Sequence, residues 1–269
     1  MIAPSAGAGG AGVGGIEAGG RPWSLVGLAV IVCLCLACIV GLLELGTWQV
    51  HRRVWKLALI AHVDERIHAA PVAPPGPSAW PGITAANAEY TRLALSGHFL
   101  NDKETLVVAS TELGGGFWVL TPFQTDQGFT VLVNRGFVPP ERRDPATRAA
   151  GQIGGETRLG GLLRITEPGG TIMRSNVPAE NRWYSRDVAA IAAARGVTNV
   201  APYFVDADGA PRGAPIPDGM PVGGLTVIAF PNNHLMYAIT WYVLALMMIG
   251  ALVYVVRDAW RQRRPHPAA

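Results

Sequence analysis

Two apolar runs free of charged side chains, Leu25 to Leu43 and Leu235 to Val256, stand near the two ends of this chain of 269 residues. At about 1.5 Å of rise per residue each reaches roughly 28 to 33 Å as a helix, which matches the hydrocarbon core of a bilayer. Both runs therefore read as transmembrane helices. Everything between them must fold outside the lipid, tethered at both ends. The first run is longer than the apolar core of a signal peptide, and Gly46-Thr47-Trp48 beyond it is no Ala-x-Ala cleavage site, so the run is expected to be retained.

The stretch from Trp48 to Asn233 suffices for one domain with its own core. A formal charge of +3 is too small to point to nucleic acid. All three cysteines, Cys33, Cys35 and Cys38, fall inside the first run, which deprives the domain of disulfides and of thiolate metal sites. Within the run they read as small apolar residues, not as a copper site.

Orientation follows from the basic flanks. Arg21 precedes the first run, and Arg257, Arg261, Arg263 and Arg264 crowd the end of the second, which argues that both termini are cytoplasmic and the domain periplasmic or otherwise outward-facing, the expected membrane being a bacterial inner one. Arg52, Arg53 and Lys56 oppose this, but long loops cross a membrane largely regardless of charge.

The expected fold class is a membrane protein with two transmembrane helices bracketing a mainly antiparallel β (α+β) extramembrane domain. Residues 1–22, rich in Gly and Ala, read as a disordered cytoplasmic tail and 23–46 as the first span. Residues 47–233 form the domain, 234–256 the second span and 257–269 a basic tail. Trp48, Arg52, Trp55, Leu59 and Val63 recur at helical spacing, so the first helix continues into the domain until Pro71, Pro74, Pro75 and Pro77 end it and form a stiff linker. Strands are expected at Tyr90–Leu95, Leu106–Val108, Phe117–Leu120, Phe129–Val133, Gly160–Ile165, Arg182–Tyr184, Tyr203–Asp206 and Leu225–Ala229. Thr125-Asp126-Gln127-Gly128 carries the chemistry of a hairpin turn, and Gly114-Gly115-Gly116 reads as another turn. Asp187 to Arg195 has helical composition, stopped by Gly196.

The residues that carry chemistry gather at the ends of the two spans that meet the domain. His234 opens the second helix, with Asn233 suited to cap it and Asn232 and Asn233 available to orient an imidazole. Such a histidine suits a haem iron or another metal; an interfacial histidine reaching for water is the plainer reading. Arg52 and Arg53 stand at the matching end of the first helix, where they suit carboxylates such as haem propionates, or lipid phosphates, or simple surface anchoring. His51 and His62 read as a surface pair. No Gly-x-Ser-x-Gly, His-Glu-x-x-His or phosphate-loop motif is present.

Taken in order, Leu45-Gly46-Thr47-Trp48-Gln49-Val50-His51-Arg52-Arg53, Tyr90-Thr91-Arg92 with Gly97-His98-Phe99, and Gly116 to Phe123 form the first half of a pattern. Val131 to Pro139, Gly161 to Arg164, Asn176-Val177-Pro178, Trp183 to Asp187 and Asn232 to Tyr242 complete it. This series resembles the surfeit-locus-one family, membrane factors for the biogenesis of haem-copper terminal oxidases. The resemblance implies an assembly factor and not an enzyme. It implies transient binding of haem a, with His234 as axial ligand; Arg52, Arg53, Trp48 and Trp241 are the further cofactor-binding residues expected beside it. The implied partners are the catalytic subunit of the oxidase, the enzyme of haem a synthesis and membrane lipid. The alternative is a scaffold that stabilises oxidase intermediates without touching haem.

Overall fold

The computed structural model of the protein describes residues 24–209, 220–226, 228 and 230–263. The tail readings at residues 1–22 and 264–269 lie outside the described residues. Two compact units result, one made of the chain up to Lys56 and from Asn232 onward, the other of Leu57–Pro231.

The first unit is a helix pair. Helix α1 spans Leu25–His68, and the last helix, named α4 below, spans His234–Gln262. Both are long and apolar enough to cross a membrane. No proline interrupts α1 between Leu25 and His68, so it runs unbroken for 44 residues past the apolar stretch, as the spacing of Trp48 to Val63 predicts. On α4 the buried residues Ala238, Ala245 and Ala259 fall at multiples of seven positions, hence on one face. Leu28, Ile39 and Gly46 are buried on α1. Small residues on such faces allow two helices in lipid to approach closely. Leu34, Val40, Leu246 and Met247 point outward, as lipid-facing positions should. Asn233 does occupy the N-cap position of α4, but its side chain makes no capping bond, contrary to expectation.

The second unit is a β-barrel built from strands β1 (Arg92–Phe99), β2 (Thr105–Thr111), β3 (Gly114–Thr125), β4 (Thr130–Val138), β5 (Thr157–Ile165) and β6 (Val200–Ala207). Their order is β1-β5-β6-β4-β3-β2, and β1 also pairs with β3, so five strands close on themselves while β2 continues along the first half of β3. Every pairing is antiparallel except β4 with β6. The long β3 makes closure possible: Gly114 to Leu120 pair with β2, and Phe123 to Thr125 pair with β1. At that crossing Gly97 has φ of +152°, and a β-carbon there would fall 2.0 Å from the Gln124 carbonyl oxygen, so only glycine fits.

Alternation along the strands divides two cores. Leu93, Leu95, Phe123, Val131, Val133, Leu163, Tyr203 and Val205 fill the barrel, while Val107, Leu120, Leu132 and Phe204 face outward against Trp183 and against Val188 and Ile191 of helix α3 (Val188–Ala194). Hence β4 is buried on both faces along its whole length, and its apolar run Val131 to Val133 is followed by the buried polar side chains of Asn134 and Arg135. The expected helix after Asp187 is present as α3, and Asp187 caps it by accepting from the Ala190 amide at 3.1 Å. The expected hairpin at Thr125 to Gly128 is present, with Gln124 opposite Thr130.

Four expectations are corrected. Gly114-Gly115-Gly116 is the start of β3 rather than a turn, because these residues pair with Ala109 to Thr111. Arg182 to Tyr184 makes only isolated bridges, its backbone being bent by the nearby left-handed Asn181. Leu225, Thr226 and Ile228 belong to no strand, and residues 227 and 229 lie outside the described residues. The proline segment is no free linker: Val72 exchanges backbone bonds with Arg92 and Ala94, and the Pro75 carbonyl accepts from Trp80 Nε1 at 3.0 Å and Tyr203 Oη at 2.8 Å. A four-residue helix, α2 (Ala85–Ala88), follows it.

Candidate functional site

The site-bearing residues of the helix pair lie where α4 begins and where the apolar part of α1 gives way to polar residues. Gly46, Thr47 and Gln49 occupy one turn of α1 and meet two residues of α4. Tyr242 packs its ring on Gly46 and brings its hydroxyl 3.2 Å from Thr47 Oγ1. Two turns earlier on α4, His234 Nδ1 lies 2.7 Å from Gln49 Oε1. His234 is half-buried, and its Nε2 has no hydrogen-bond partner among the described residues.

Two further polar groups in this unit are sealed from solvent and have no hydrogen-bond partner among the described residues: the indole N–H of Trp241 and the side-chain oxygen of Asn232. Trp241 follows His234 by seven residues, which sets both on one face of α4, roughly 10 Å apart along the axis. A buried polar group without a partner costs about 1–3 kcal/mol. The imidazole nitrogen could take a metal, and the indole N–H and the amide oxygen could each take a polar substituent of a bound group.

The other residues expected at the site are placed less closely. Arg52 stacks over the ring of Trp55 at 4.0 Å from its centroid, and both are exposed. Arg53, one turn beyond Gln49, is half-buried, and neither arginine has a carboxylate partner among the described residues. Trp48 is 56% exposed. No hydrogen bond joins Arg52, Arg53 or Trp48 to His234 or Trp241 among the described residues. Asn232 and Asn233, expected to orient His234, do not; Gln49 does so instead. Among the described residues no three His, Cys, Asp or Glu side chains cluster as a metal site.

The domain holds a second polar constellation that its sequence did not announce. Asp206, 4% exposed, accepts from Asn134 Nδ2 at 2.8 Å, Arg164 Nη1 at 3.0 Å, Thr226 Oγ1 at 3.0 Å and Arg186 Nη1 at 3.3 Å. Arg164 also donates to Glu89, and Arg186 forks onto Glu167. Burial pulls the Arg164 guanidinium down, but Asp206, Tyr90 and Glu89 outweigh it and raise it. Burial would push the Glu167 carboxyl up, but bonds and charge from Arg186 hold it below its ordinary range. Asn134, Arg164, Arg186 and Asp206 line a recess of about 520 Å³ together with Trp118, Leu225 and Ile228. Arg164 bridges Asp206 to Glu89 and Arg186 bridges Asp206 to Glu167, which makes the cluster a fastening between β5, β6 and the segment before α3.

With this geometry in hand, comparison with known proteins is decisive. The sequence pattern of the SURF1 family matches residues 36–246, which takes in the C-terminal part of α1, the whole barrel and the N-terminal part of α4. The chain belongs to the SURF1 family. Surfeit locus protein 1 of Homo sapiens is 39% identical over 218 residues, covering 75% of this chain and 69% of the human protein. The Mus musculus protein is 38% identical over 214 residues, covering 74% of this chain, and the match spans 66% of its length. A SURF1-like protein of Monosiga brevicollis is 35% identical over 264 residues, covering 93% of this chain and 94% of that protein.

SURF1 membership accords with the expectation of a chain that is not an enzyme. It also accords with a membrane protein whose two spans lie near its ends and bracket a large extramembrane part. These relatives are all eukaryotic, so they lend nothing to a placement in a bacterial inner membrane. Gln49 lies inside the SURF1 match but was passed over in the sequence, where a glutamine beside a tryptophan carries no chemical signature of its own.

Proposed function

We propose that this SURF1-family chain is an assembly factor for cytochrome c oxidase that takes haem a as cargo at the helix pair and yields it to the catalytic subunit. The observation that carries this reading is the His234 imidazole, held through Nδ1 by Gln49 with Nε2 left without a protein partner. Haem a would bring an iron in need of an axial nitrogen, and His234 is the residue to supply it. The buried Trp241 N–H and Asn232 oxygen would find partners on its polar substituents, and Arg52 and Arg53 would meet its propionates. Apolar side chains of α1 and α4 shelter the hydrophobic body from water. A single histidine holds the iron less firmly than two would, which suits a carrier that must release what it holds.

In this reading both termini lie on one side of the membrane that houses the oxidase and the domain lies on the other. The enzyme of haem a synthesis is the donor of the cargo.

The test is oxidase maturation in cells lacking the chain. The account expects a catalytic subunit present but poor in haem a, restored by the wild type and not by His234→Ala. Full restoration by His234→Ala would favour the scaffold that never touches haem.

A further inference from the structure

We propose that Gln49 is a positioning residue for His234, its carboxamide oxygen holding the proton on Nδ1 so that Nε2 is kept as the bare, metal-seeking nitrogen. The inference rests on the reading of His234 as an iron ligand and extends it to how the chain prepares that ligand.

A neutral imidazole carries one N–H and one lone pair, and only the nitrogen with the lone pair binds a metal. Which nitrogen that is depends on the hydrogen bond made by the other. Here the carboxamide oxygen of Gln49 stands 2.7 Å from Nδ1. An amide oxygen is an acceptor, so Nδ1 must be the donor. The lone pair then falls to Nε2, which has no partner of its own among the described residues. In the other tautomer the N–H would sit on Nε2 with nothing to receive it, while two lone pairs met at Nδ1.

The residue is also well fixed. Gln49 sits half-buried one turn beyond Gly46, in the part of α1 that packs against Tyr242. A side chain carried on a packed helix orients its partner more closely than one on a loop. The choice of an amide has a consequence as well. A carboxylate at this position would draw the Nδ1 proton more strongly and make Nε2 a stronger ligand; the neutral amide fixes the tautomer and leaves the grip moderate. That combination suits cargo destined for transfer.

The test compares the wild type, Gln49→Leu and Gln49→Glu as full chains in detergent. Nitrogen-15 spectra of labelled histidine, recorded without haem at alkaline pH, report which His234 nitrogen carries the proton. The wild type should show it on Nδ1, Gln49→Glu should keep it there, and Gln49→Leu should shift it toward Nε2. Titration with haem a should then show about 10- to 100-fold weaker binding for Gln49→Leu. Gln49→Glu should bind at least as tightly as the wild type and release more slowly, which separates loss of the hydrogen bond from damage to the helix pair. A wild type protonated on Nε2 overturns the proposal, as does a Gln49→Leu variant with unchanged haem affinity. A wild type that binds no haem a overturns the ligand reading as well. A wild type that binds it, with Gln49→Leu equal to it, overturns the role of Gln49 alone.

Discussion

Gly46 of α1 presses so closely on the ring of Tyr242 of α4 that a β-carbon would fall 2.7 Å from Cε1. The helix pair therefore depends on the absence of a side chain at that point. Gly46→Leu should cost about 1–3 kcal/mol by overpacking. Tyr242→Phe, which loses only the exposed bond to Thr47, should cost about 0.6 kcal/mol. Thermal unfolding in detergent checks both, and equal effects would contradict the packing argument.

The fully buried Arg148 is neutralised by Glu104, which receives two of its guanidinium nitrogens. Removing the acid alone strands a charge inside the domain, so Glu104→Ala should cost about 3–5 kcal/mol. Replacing both residues by Met should cost much less, since no charge is then left unpaired. Urea unfolding of the two variants checks the difference.

Acid should loosen the fastening around Asp206 partly through Glu167. Arg186 holds the Glu167 carboxyl below its ordinary value of 4.5 in the folded chain. A depressed folded value means that the unfolded chain takes up the proton first. The stabilisation is therefore complete above the unfolded value and is lost as pH falls through the lower, folded one. Glu167→Gln should accordingly be less stable than the wild type at pH 7 and lose less stability between about pH 5 and 2. Denaturant midpoints against pH check this, and parallel curves would contradict it.

Arg52 and Arg53 have no carboxylate partner among the described residues, which leaves both available to propionates. A hydrogen bond to a charged group contributes about 1.5–3 kcal/mol. Replacing both arginines with Gln should therefore weaken haem a binding by about tenfold or more. Unchanged binding would assign them to lipid headgroups instead.

Features written in local pattern were legible in the sequence. The charge-free runs gave both helices, the Trp48 to Val63 spacing gave the extension of α1, and alternation gave the cores of six strands. The Thr125 to Gly128 turn and the helix after Asp187 were equally plain, since each is set within a few residues. Relations between distant residues were not legible. The barrel closes because β3 changes partner midway, and Gly97 is needed only where β1 crosses it. The ligands of Asp206 come from positions 134, 164, 186 and 226, and no spacing rule joins them. At the helix pair His234 was visible as an imidazole at a helix start. Gln49, 185 residues away, became meaningful only when the fold brought it to Nδ1. Asn232 and Asn233 looked like partners because they were neighbours in sequence.

The most direct measurement is the absorption spectrum of the full chain purified from cells that make haem a, beside that of His234→Ala. The account predicts near-stoichiometric haem a with the wild type and little or none with the variant. A haem-free wild type from such cells would contradict it.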